Sequence, residues 1–85
     1  MDKIFITKDI NVYVASKVSD SGIKLTEIRS SKQTDIMDYI INSYNKATIC
    51  CVGLSGRLIE AFKSSYDEMV VDLNDGQIFL RNYNK

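Results

Sequence analysis

Ala47-Thr48-Ile49-Cys50-Cys51-Val52-Gly53-Leu54-Ser55-Gly56-Arg57-Leu58-Ile59-Glu60-Ala61-Phe62 is the stretch on which the reading of this chain turns. Ala47 to Val52 is apolar without alternation, the pattern of a strand buried on both faces. Gly53 to Arg57 then reads as a loop, and Ser55 as the N-cap of a helix whose buried stripe is Leu58, Phe62 and Tyr66, joined by Ile59 and Ala61. A loop of this kind aims backbone N–H groups and the positive end of a helix at one point, so it can hold an anion, with Arg57 beside it.

Upstream, Lys3 to Lys8 alternates with Ile4 and Ile6 on one face, which predicts a half-buried strand. Val12 to Val18 repeats the alternation, and Ser19-Asp20-Ser21-Gly22 turns the chain into a third strand, Ile23 to Arg29. A helix over Ile10 to Val18 is the competing reading, opposed by its β-branched and aromatic residues. From Lys32 to Tyr44 the period changes, because Ile36, Ile40 and Tyr44 recur every four residues with Met37 and Ile41 beside them. Ser30, Ser31 and Thr34 offer N-cap oxygens, and Asp35 and Asp38 sit near the positive helix end. Downstream, Met69 to Leu73 should pair with Gln77 to Arg81 through Asn74-Asp75-Gly76, where Asp-Gly tolerates positive φ.

These elements predict a single two-layer α+β domain spanning residues 1–85. Its expected order is β-β-β-α-β-α-β-β, with a mixed sheet of five or six strands and two helices. Two successive βαβ crossovers would set the strands at 23–29, 47–52 and 69–73 parallel. Their following loops would then share one rim, gathering Arg29, Ser30, Ser31, Lys32, Ser55, Gly56, Arg57, Asn74 and Asp75. The anion-binding set expected there is Arg29, Ser31, Lys32, Gly53, Ser55, Gly56 and Arg57. If both helices lie on one face, the other face stays open. A second copy is its expected cover, with Phe5, Tyr13, Phe79 and Tyr83 as aromatic residues such a face could present.

Composition narrows the function classes. Hydrophobic residues at 45% and charged residues at 26% describe a globular chain rather than a disordered one. Eleven basic and eleven acidic residues cancel, so no overall field draws the chain onto nucleic acid or an anionic membrane. With no histidine, the usual general base and the commonest metal ligand are missing, and neither a metal nor a cofactor is expected. Cys50 and Cys51 are adjacent, so on a strand they point to opposite faces, which predicts free thiols in a reducing cytoplasm. No apolar run approaches the roughly 20 residues that span a bilayer.

The order βαβαββ over Ile23 to Arg81, with Gly53-Leu54-Ser55-Gly56-Arg57 at its strand-to-helix turn, resembles the Alba-type nucleic-acid-binding proteins and the C-terminal domain of translation initiation factor three. That resemblance implies a nucleic-acid-binding dimer. The chain departs from it in having no basic excess and only Asn74-Asp75-Gly76 where those proteins carry a long basic hairpin. Cys51 and Arg57 also have the spacing of the phosphate loop in cysteine-dependent phosphatases, in which a thiolate attacks phosphorus. Leu58 stands where those enzymes place Ser or Thr, and no histidine precedes the cysteine. The reading preferred on sequence is a small non-enzymatic interaction or regulatory protein of mobile-element or phage type. It would form a homo-oligomer and bind a partner protein or a small anionic ligand at the rim. The nucleic-acid-binding dimer and the phosphatase-like enzyme are the alternatives.

Overall fold

The computed structural model describes residues 2–44 and 55–83. Its elements are β1 (Lys3–Asp9), β2 (Val12–Val18), β3 (Lys24–Ser30), α1 (Gln33–Ser43), α2 (Ser55–Ser65), β4 (Glu68–Asp72) and β5 (Ile78–Arg81). The five strands form one sheet in the order β3-β2-β1-β4-β5, antiparallel at every step. The fold is α+β, as its patterning predicts. Alternation puts Ile4 and Ile6 of β1, Tyr13 and Ala15 of β2, and Met69 and Val71 of β4 on one face. Ile36 and Ile40 of α1 and Ile59 and Phe62 of α2 close over that face, so one core is shared by the sheet and both helices.

Both hairpins and the first helix lie close to where the alternation and the 3.6-residue period place them. Details at the termini differ. Lys32, with extended backbone, occupies the N-cap of α1 and gives it no side-chain cap. Ser30, expected as a cap, instead accepts the Lys32 N–H at 3.0 Å and donates to the Asp35 carboxylate. In the β4–β5 turn, the Asp72 carboxylate accepts the Asn74 N–H and that of Asp75 the Gln77 N–H, while Gly76 takes φ of 78°. The other end of α1 is tied to the sheet by the Tyr44 hydroxyl, which donates to the Asp72 carbonyl at 2.6 Å.

The expected pair of parallel crossovers does not join β3 to β4. These strands are three antiparallel steps apart and run in opposite directions, so they leave the sheet at opposite ends. The rim expected to gather Ser30 to Lys32 with Asn74 and Asp75 is therefore split. Ser30 lies at the end of the sheet shared with Tyr13 and Lys8, and Asp72 at the end shared with Lys3 and Val18. The strand expected over 47–52 lies outside the described residues.

The β1–β2 connection has two residues, Ile10 and Asn11, between the paired Asp9 and Val12. Ile10 has φ of 50°, the sign that a type II′ hairpin requires at its first turn position and normally obtains from glycine. An L-residue in this region costs about 1–2 kcal/mol, and Ile10 recovers little by packing because it is 94% exposed. Ile10→Gly should raise stability by about 1 kcal/mol after the entropic cost of glycine, measured by urea denaturation. A loss of stability would mean that the Ile10 side chain packs in a way its exposure does not suggest.

On the open face, Phe5, Val70 and Phe79 form a row across β1, β4 and β5. Tyr83 lies beside this face: its N–H donates to the Asp67 carboxylate at 2.9 Å, and its hydroxyl lies near the buried Glu68. Desolvation first, and then the neighbouring Glu68 carboxylate, push the Tyr83 phenol up to about 12. Tyr13, expected among the aromatics of the open face, faces the helices and is buried.

Candidate functional site

The end of the sheet where β3 passes into α1 and α2 into β4 carries a hollow of about 430 Å³ lined by Lys8, Ile10, Asn11, Val12, Tyr13, Ser31, Gln33 and Lys63. Four elements build it. The β1–β2 turn forms one wall, the N-terminus of α1 supplies Ser31 and Gln33, and the C-terminus of α2 supplies Lys63.

Lys8 continues the register of Ile4 and Ile6 toward the helices. Its ammonium donates to the carbonyl oxygens of Phe62 at 2.8 Å and Lys63 at 2.9 Å, and lies 4.9 Å from the centre of the Phe62 ring. A cation at the last turn of a helix satisfies carbonyls that lack intrahelical partners and offsets the negative end of the dipole. The charge at this corner is thus already balanced, and Lys63 adds a second ammonium at the wall.

Tyr13 packs its ring against Phe62, centroids 5.8 Å apart. The residue is 7% exposed, and its hydroxyl is buried without a hydrogen-bond partner among the described residues. Burial first, and the nearby Glu60 carboxylate second, raise its pKa, so the phenol is a neutral donor at ordinary pH. Gln33 lies between these groups, its amide donating to Glu60. A buried hydroxyl left without a partner costs about 1–3 kcal/mol and calls for an explanation.

Of the described members of the anion-binding set expected from sequence, only Ser31 lines this hollow. Lys32 is exposed at the N-cap of α1. Arg29 lies on the open face of β3, paired with Asp9 at 3.3 Å and with Glu27 at 3.9 Å. Ser55, Gly56 and Arg57 form the first turn of α2, about two turns before the helix end that meets Lys8. A Cβ at Gly56 would meet nothing within 4 Å, so no close approach requires glycine there. Gly53 and Cys51 lie outside the described residues. Sequence reading missed Lys8, Tyr13, Gln33 and Lys63. Lys8 left a signal, a lysine in the apolar phase of a strand, directly after Ile4 and Ile6.

No group of three or more potential metal ligands occurs among the described residues, and no helix there is long and apolar enough to cross a membrane. No protein-family model matches the chain, and comparison with curated proteins and with solved structures finds no match.

Proposed function

We propose that the protein is a non-enzymatic binding domain that takes a small anion in the hollow at the N-terminus of α1. The observation that carries this reading is Tyr13, a residue of the hollow's lining whose buried hydroxyl lacks a partner among the described residues, with donors of Asn11, Ser31, Gln33 and Lys63 in the same lining. α1 lacks a side-chain cap, so its first N–H groups suit an oxyanion, and Ser31, Gln33 and Lys63 stand at the same place. The Lys8 ammonium blocks the carbonyls that would otherwise repel such a ligand. Binding is favoured over catalysis because the lining offers donors but no thiol, imidazole or paired carboxylates.

Titration with inorganic phosphate, followed by amide NMR shifts of Ser31 and Gln33, tests the reading. Those signals should move saturably in the native chain. Tyr13→Phe should weaken binding about tenfold and raise the stability of the unliganded protein by about 1 kcal/mol, because it removes a donor that is satisfied only in the complex. Unmoved signals at millimolar phosphate, or equal affinity in the variant, would exclude the site.

A further inference from the structure

We infer that the protein forms a two-fold dimer through the outer edge of β3, joining two sheets across an antiparallel β3–β3 pair centred on Ile28. β3 is a seven-residue edge strand whose only strand neighbour among the described residues is β2, whereas the opposite edge, β5, has four residues. A long edge of unpaired main-chain groups is a template for another strand unless its side chains prevent it.

The phase of the ladder determines which groups β3 offers. Leu73 N–H donates to the Asp2 carbonyl at 3.1 Å, continuing the β1–β4 ladder. Bonding direction alternates along a strand, so Ile4 and Ile6 direct their main-chain groups to β4, and Lys3, Phe5 and Thr7 direct theirs to β2. Val14 and Ser16 return these bonds, which turns Tyr13, Ala15 and Lys17 toward β3, opposite Ser30, Ile28 and Thr26. The main-chain N–H and C=O of Glu27 and Arg29 therefore aim outward.

A two-fold axis through Ile28 places Glu27 opposite the partner's Arg29, and Arg29 opposite the partner's Glu27. These are the residues with outward groups, so each pair can exchange both main-chain bonds while bringing opposite charges together on the open face. Ile28 meets the partner's Ile28 at the intervening position, on the helix face where it already packs against the core. Thr26 falls opposite the partner's Ser30. Other registers lose this match. Centring on Glu27 or Arg29 sets like charges face to face, and an axis between residues sets outward groups against inward ones. The alternation of sign along this edge makes it self-complementary, where a run of lysines would repel its own copy. α1 packs against β3 with Tyr39 bonded to Thr26, a residue on the same face as Ile28.

Sedimentation of the full chain at concentrations up to roughly 0.5 mM should show a monomer–dimer equilibrium. Glu27→Arg alone and Arg29→Glu alone each create two like-charge pairs per dimer and should weaken association about tenfold or more. The double variant carrying both changes restores opposite charges and should recover the native dimer. Glu27 and Arg29 are exposed, and circular dichroism would verify that each variant is folded. A monomer at every concentration, a dimer indifferent to the single changes, or a double variant no better than either single one would overturn the proposal.

Discussion

Phe62→Ala should cost about 3–5 kcal/mol of unfolding free energy, the largest effect expected of a single truncation among the described residues. Phe62 is fully buried in α2, and its ring meets both Tyr13 and the Lys8 ammonium. Truncation leaves a cavity where the helix crosses the sheet and removes the surface that holds Tyr13 in place. A domain of this size has only about 5–10 kcal/mol in total, so the variant should unfold at low denaturant or be partly unfolded at 37 °C. Urea denaturation followed by far-ultraviolet circular dichroism reads this directly. A loss below about 1 kcal/mol would show that α2 does not seal the core at Phe62.

Ile6→Ala ranks next, at about 3 kcal/mol. Ile6 is fully buried in the middle of β1, opposite Ala15 on one side and Met69 on the other. The small Ala15 cannot fill the space left behind, and the strand cannot shift without disturbing two ladders. The contrast with Ile10, four residues on, is instructive. The same side chain is central to the core at one position and a strained, exposed turn residue at the other. The same equilibrium measurement separates them, and similar effects from Ile6→Ala and Ile10→Gly would contradict the assigned burial.

The difference between those isoleucines also marks how far the sequence could be read. Alternation around Ile4 and Ile6, the spacing of Ile36 and Ile40, and the turn at Asp75-Gly76 report local periodicity, and the elements they predict are present. Strand direction leaves no such imprint. Met69 to Leu73 reads the same whether it runs with or against β3. Only the long-range pairing of β4 with β1 makes it antiparallel, and with that pairing the expected rim divides. Tyr13 was legible as a strand residue, but the burial of its hydroxyl arises from α2 packing across it, which no local pattern encodes. Ser31 was found for its place beside a helix start, a property that does survive in local sequence.

The central position of β1 also bears on how the molecule assembles. Its pairing with β2 closes across a two-residue turn, whereas Ile6 meets Met69 across more than sixty residues of chain. Loop-closure entropy therefore falls mainly on the second contact, and non-local pairings of this kind slow folding. Until β4 arrives, one side of β1 is an open edge bearing Ile4 and Ile6, the kind of surface on which chains aggregate. In kinetic terms, the seam between β1 and β4 is where this small domain is most vulnerable while it folds.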